Sequence, residues 1–307
     1  MTASARAVRF DRYGDRDVLY LAEVPVPEPA AGEVLVAVRA AGINPGEAAI
    51  RQGLMRESYP GTLPSGQGSD LAGVVAALGE GVTGFGIGDE VLGYSWQRSS
   101  QATHVVVPAT QIVPKPPELS WEQAGSLYVV GATAYAAVRA IDPKPAETVA
   151  VSAAAGGVGT LVVQLLVLRG ARVLGIASPA NDAWLTGHGV TPVHYGDGLA
   201  GRLRDAGPVD AFIDLFGPEY VELAVELGVP VERIDTIISF QKAAEVGAKA
   251  EGSMAASTPE VLTEMADLVA SGKVELPIAA TYPLDRVTDA FAELEQRHTR
   301  GKIVLLP

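Results

Sequence analysis

The chain has 307 residues, 48% hydrophobic and 19% charged, which is enough apolar material for two buried cores and carries no signature of disorder. Its formal charge of −13 repels phosphate backbones and anionic lipid, so nucleic acid and membrane surfaces are disfavoured as partners. With no cysteine there is no disulfide, no thiolate zinc site and no cysteine nucleophile.

The first residues carry Arg6 and Arg9 but no apolar core of a leader. The most apolar run, 161–177, is interrupted by Gln164, Arg169 and Arg172, which argues against a membrane span. A soluble, cytoplasmic protein is expected. The first strand with clear alternation is 33–40, with Val34, Val36 and Val38 on one face. Further short strands are expected at 69–78, 90–94 and 104–107, so the first part reads as an antiparallel, barrel-like domain. Helical spacing follows over 122–141, stopped by Asp142 and Pro143.

From there strands and helices alternate: strand 148–152, helix 159–168, and strands 172–177, 211–215 and 233–239. Alternation at this spacing means βαβ units and a parallel sheet. A helix over 259–271 ends at Gly272, and the tail returns to strand at 278–282, helix at 285–297 and strand at 302–306. The fold class is therefore α/β, with a nucleotide-binding domain flanked by two pieces of a β domain. The expected boundaries are 1–124 with 276–307, and 125–275.

The most informative segment is Val149-Ala-Val-Ser-Ala-Ala-Ala-Gly-Gly-Val-Gly159, which leads into an apolar helix. A buried strand delivers the chain to a turn of small residues, where a pyrophosphate can approach backbone N–H groups at the helix N-terminus. Ala153, Gly156 and Gly159 occupy the spacing of the dinucleotide fingerprint, with alanine in place of its opening glycine. The alternative is an ordinary close-packed strand–helix turn. At the end of the next strand stands Ser178, with Asp182 displaced by four residues. No carboxylate is there to hold a ribose 2′-hydroxyl or repel a 2′-phosphate, which favours NADPH. The competing reading of Ser178 is a helix cap.

Six landmarks together resemble the zinc-independent quinone oxidoreductase branch of the medium-chain dehydrogenase/reductase superfamily. They are Gly42-Ile-Asn-Pro45, Gly68-Ser-Asp-Leu-Ala-Gly-Val-Val75, Gly88-Asp-Glu-Val91, Gly131-Ala-Thr-Ala-Tyr135, Ala153-Ala-Ala-Gly-Gly-Val-Gly159 and Gly301-Lys-Ile-Val-Leu305. The resemblance implies a GroES-like β-barrel domain with an inserted Rossmann domain, NADPH in the cleft between them, and a homodimer. It also implies metal-free hydride transfer to a small electrophile, a quinone or an α,β-unsaturated carbonyl.

By resemblance, Asn44 stands near the nicotinamide where zinc members place a cysteine ligand, and Thr133 faces the nicotinamide ring. Ala155, Gly156, Gly157 and Val158 form the pyrophosphate turn. Ser178 and Tyr195 line the 2′-phosphate site, with Arg297 as a basic residue of the last helix, and Phe216 and Phe240 flank the cofactor. Ala49 and Met55 replace tyrosines common in quinone reductases, Glu47 replaces the usual aspartate, and Gly68-Ser-Asp70 replaces Gly-His-Glu. Asp70 reads as structural.

Asn44 is the catalytic candidate, to position the nicotinamide or to meet the oxygen that gains charge. Tyr59, Tyr94 and Tyr135 are each able to donate a proton, although a lone tyrosine is more commonly a packing residue. Two alternatives stand beside this reading: a biosynthetic enoyl or double-bond reductase acting on a larger intermediate, and a relative that binds NADPH without turnover.

Overall fold

The computed structural model describes residues 4–57 and 61–307. By compactness the chain divides into two units, Met1–Val129 with Thr258–Ser271 and Pro277–Pro307, and Val130–Ser257 with Gly272–Leu276.

In the first unit the strand Glu33–Gly42 organises a seven-stranded sheet. It pairs antiparallel with Asp70–Leu78 and with His104–Pro108, and Asp70–Leu78 pairs onward to Glu90–Tyr94. The alternation read from the sequence has its expected meaning, since Val34, Val36 and Val38 are buried in one core with Val75, Val91, Val105 and Val107. The chain's last strand, Lys302–Leu306, joins this sheet, with Val304 and Leu305 opposite Gly42 and Ala41. It also lies parallel to Ile278–Pro283, the two being linked through the helix Val287–Leu294. A second core gathers Val8, Phe10, Ile43, Phe291, Ile303 and Leu305 from both ends of the sequence.

The helix expected over 122–141 is two helices, Trp121–Ala124 and Leu127–Ile141. The break has a tertiary cause: the Gly125 carbonyl accepts from Gly42 N at 2.6 Å, and a Cβ on Gly125 would lie 2.5 Å from Ala40 O. The end of the long strand thus captures this turn. The helix expected over 285–297 is confined to Val287–Leu294, preceded by a 3-10 turn at Leu284–Arg286. Arg297 lies beyond it in the left-handed region, φ 57°, so it is not a residue of the last helix.

The second unit is a five-stranded parallel sheet in the order Thr191–His194, Arg172–Ala177, Thr148–Val151, Ala211–Asp214 and Ile234–Thr236. The chain starts at the centre and winds outward in both directions, the doubly wound arrangement. The expected strand at 233–239 is shorter, because Thr236 bonds to the loop that follows it. The strand Thr191–His194 was not expected. The helix Gly157–Leu168 is buried from Gly159 to Leu166, and its Gln164 side chain grips Glu275 through both backbone groups, at 2.9 and 2.7 Å. A third, three-stranded antiparallel sheet pairs Ser4–Phe10 with Tyr20–Pro25 and Ser65–Gly66, and the α/β class, with a largely antiparallel first unit and a parallel sheet in the second, is as expected. Among the described residues no helix is long and apolar enough to cross a membrane.

Candidate active site

In the second unit, the expected cofactor residues other than Thr133 follow the carboxyl ends of the parallel strands. Thr148–Val151 is wholly buried and delivers the chain to Ala153, whose φ of 46° is left-handed. Gly156 is the N-cap of the helix Gly157–Leu168, and its first helical bond is Thr160 N to Gly156 O at 2.9 Å. No side chain caps this helix. Its leading N–H groups, from Gly157 to Gly159, are therefore left to a ligand or solvent, as an anion site requires. Gly159 is dictated by packing, since a Cβ there would lie 2.1 Å from Ala153 O. Ala155, Gly157 and Val158 complete the turn.

Ser178 follows Arg172–Ala177, and its Oγ accepts from Asn181 Nδ2 at 3.0 Å; it makes no side-chain cap. Asp182, the next acid along the chain, is engaged by His194 Nε2 at 3.0 Å. Tyr195 follows the edge strand, is half exposed, and sits on a loop that Arg202 ties down through the carbonyls of His194, Gly196 and Asp197. Arg202 is the basic residue of this edge that the sequence reading missed. Phe216 and Phe240 are partly exposed beyond Ala211–Asp214 and Ile234–Thr236. The segments that follow these two strands are held by Asp214, a second omission. This buried carboxylate accepts from Ser152 Oγ, Thr236 Oγ1, Ser239 Oγ, Phe216 N and Gly217 N. Thr133 is buried on the helix Leu127–Ile141. An uncapped helix after a buried strand, with no free carboxylate at the next strand end, fits a phosphorylated dinucleotide.

Asn44 and Arg297 belong to the first unit. Asn44 is the N-cap of the helix Pro45–Arg51, closed by a capping box with Glu47. The Asn44 side chain is 4% exposed and surrounded by charge. Its Nδ2 donates to Glu47 Oε1 at 3.2 Å and to Asp70 Oδ2 at 3.0 Å, and its Oδ1 accepts from Lys302 Nζ at 2.5 Å. Lys302 also donates to Ile43 O at 2.9 Å and Asp70 Oδ2 at 3.3 Å, so its three donors meet three acceptors. Asp70 anchors the cluster by accepting Val129 N at 2.7 Å. Burial, reinforced by Asp70 and opposed by Lys302, raises the Glu47 carboxyl to about 7.

The arrangement fixes the Asn44 amide. Reversing it would place N–H against the Lys302 ammonium and oxygen against carboxylates. Both N–H groups are engaged, so none is left for a substrate oxygen. The oxygen faces the Lys302 ammonium, so the group that Asn44 can present is an acceptor.

Of the tyrosines, Tyr94 is buried and stacked on Tyr128, centroids 4.0 Å apart, with its hydroxyl pushed up by burial. Tyr135 is half-buried, and Tyr59 lies outside the described residues. Among the described residues no group of three or more histidines, aspartates and glutamates is placed to hold a metal ion.

Residues 30–117 match the family described as alcohol dehydrogenase GroES-like domain, and residues 192–305 the family described as zinc-binding dehydrogenase. The quinone oxidoreductase of Pseudomonas aeruginosa is 30% identical, over 99% of this chain and 100% of its own. The structure of Escherichia coli quinone oxidoreductase complexed with NADPH is similar with a TM-score of 0.88 at 27% identity, covering 98% of this chain and 100% of that one. An NAD-dependent alcohol dehydrogenase gives 0.87 at 28%, and the CurK enoyl reductase 0.85 at 25%, each covering 98% of this chain and 99% of its own. A full-length relative at this identity and two sheets of this topology lead to one assignment: the chain is an oxidoreductase of the quinone oxidoreductase branch of the medium-chain dehydrogenase/reductase superfamily.

Proposed function

We propose that this protein is an NADPH-dependent reductase that transfers hydride to a quinone or an α,β-unsaturated carbonyl without a metal. The observation carrying this reading is the uncapped N-terminus of Gly157–Leu168, next to a strand end where Ser178 stands and Asp182 is engaged by His194. Ala155, Gly156, Gly157 and Val158 would hold the pyrophosphate, and Ser178, Tyr195 and Arg297 the adenosine end. Thr133 would face the nicotinamide, and Phe216 and Phe240 would flank the cofactor. The bound cofactor supplies the hydride. The chain's own part is binding, orientation and exclusion of water.

In this reading Asn44 orients the nicotinamide by accepting from its carboxamide N–H, the role its fixed amide suits. The proton that completes reduction of the acceptor comes from solvent. Metal-free chemistry is supported by the donor set: where a zinc site would need several clustered ligands, Asn44 is an amide already bonded to Glu47, Asp70 and Lys302.

The test is a fluorescence titration with NADPH and NADH, followed by turnover assays with quinones, enones and enoyl thioesters under a chelator. Tighter NADPH binding and chelator-resistant reduction of quinones or enones are expected. Preference for NADH, or loss of activity on chelation, would overturn the reading. Activity confined to enoyl thioesters would favour the second reading, an enoyl reductase. That reading has support in Ala49 and Met55 and in the likeness to the CurK enoyl reductase. Asn44→Ala is expected to lower NADPH affinity and turnover by about 10-fold or more, a loss of at least ~1.4 kcal/mol. Unchanged values would remove Asn44 from the site.

A further inference from the structure

Every hydrogen-bonding neighbour of Glu47 is a donor. Its Oε1 accepts from Ser69 N and Asn44 Nδ2, and its Oε2 from Asn44 N and Gln101 Nε2, at 2.9 to 3.2 Å. Such a shell suits an ionised carboxylate. Yet Glu47 is 3% exposed. The charged groups facing it are Asp70, from the strand Asp70–Leu78, and Lys302, from Lys302–Leu306; Ser69, Asn44 and Gln101 are neutral. With two carboxylates buried against one ammonium, Glu47 is the group that takes up a proton near neutral pH.

A protonated Glu47 carries an O–H that needs an acceptor among these donors. Two of them are backbone N–H groups and cannot reverse. The Asn44 amide cannot reverse either, because Lys302 and Asp70 hold it. Gln101 is the one neighbour free to turn. Its Oε1 is buried and has no hydrogen-bond partner among the described residues, so a half-turn of the amide brings an unused acceptor onto Glu47. Ser100 Oγ is likewise buried without a partner, and both it and Gln101 Cγ lie within 2.6 Å of the point where a Cβ on Gly68 would sit. It is a second unused polar group in the neighbourhood of the Gln101 side chain.

We propose that Gln101 is a positioning residue: its side-chain amide reverses when Glu47 gains a proton, which gives the new O–H an acceptor and leaves undisturbed the contacts by which Glu47 and its neighbours hold Asn44. The reversal belongs to the cofactor-free protein. Only its consequence for the nicotinamide rests on the reading given under Proposed function.

Side-chain amide NMR of the full chain tests it, with the Gln101 signals identified by their loss in Gln101→Leu. In the wild type these signals are expected to titrate between about pH 6 and pH 8, around the protonation of Glu47. In Glu47→Gln they are expected to stay still. Static Gln101 signals in the wild type, or a titration that survives Glu47→Gln, would overturn the proposal.

In Gln101→Leu the reserve acceptor is gone. NADPH binding should then weaken several-fold on acidification, where the wild type is flat. A flat Gln101→Leu profile would also overturn it. If that variant does not fold, the comparison of wild type with Glu47→Gln decides. Failure of the wild type to bind NADPH would instead count against the proposed function and leave the amide titration standing.

Discussion

Ala153 bears the backbone strain of the glycine turn. Its φ of 46° costs an L-residue about 1–2 kcal/mol, whereas glycine adopts it freely and gives back about 0.5–1 kcal/mol in unfolded-state entropy. Ala153→Gly is therefore expected to stabilise the protein by up to ~1 kcal/mol, read as a rise of roughly 2–4 °C in the thermal midpoint. A lower midpoint would mean that the methyl group makes contacts worth more than the strain. The alanine itself was legible in the sequence, and so was the turn. Its conformation was not, because residue type biases φ without setting it. The partners of Asn44 lay further out of reach. Asp70 is 26 positions from Asn44 and Lys302 is 258, and nothing local links them. The available signal was a charged residue within otherwise apolar strand runs, as in Asp70-Leu-Ala and Lys302-Ile-Val: if such a strand is buried, its charge must be paired.

At the scale of elements, the helix Gly157–Leu168 is pinned by one side chain. Gln164 donates to Thr160 O and Glu275 O and accepts from Glu275 N, standing in for the strand pairing that the segment Gly272–Leu276 lacks. Gln164→Ala would leave both Glu275 backbone groups without this partner, at a cost of roughly 2 kcal/mol. Urea unfolding should show the loss, and amide exchange at Glu275 should quicken; unchanged exchange would mean that another group takes over the contact. Elements with strong periodicity, such as Glu33–Gly42, were legible from their alternating valines. The strand Thr191–His194 was not. It is short and contains Pro192, a residue that argues against a strand except at an edge, and the sheet order places it at the edge. The break at Gly125 and the early stop of Val287–Leu294 were equally hidden, since each is settled by what the chain meets.

Across the whole molecule, two buried carboxyls share a direction. Glu47 and Asp235 are each raised to about 7, chiefly by burial, from ordinary values of 4.5 and 3.8. Asp235 accepts Glu251 N at one oxygen, and its other oxygen is buried without a partner among the described residues. The folded chain thus holds more protons than the unfolded chain over this interval. Their contribution to stability is full below the unfolded values and is lost as pH rises through about 7. A higher thermal midpoint near pH 5.5 than near pH 8 is expected, with the difference reduced in Asp235→Asn and further in the double variant with Glu47→Gln. An unaltered pH profile in the double variant would show that other groups control it.

The sequence by itself determined the α/β class, the parallel sheet and the turn of small residues that leads into an uncapped helix N-terminus. Each of these follows from residue type and short-range spacing. Tertiary structure alone decided that Asn44 offers an acceptor, that Gln101 holds another in reserve, and that Asp182 is engaged by His194. Those properties depend on which side chains meet across strand registers and sheet edges, and a buried hydrogen-bonding group takes its role from the partner it meets there.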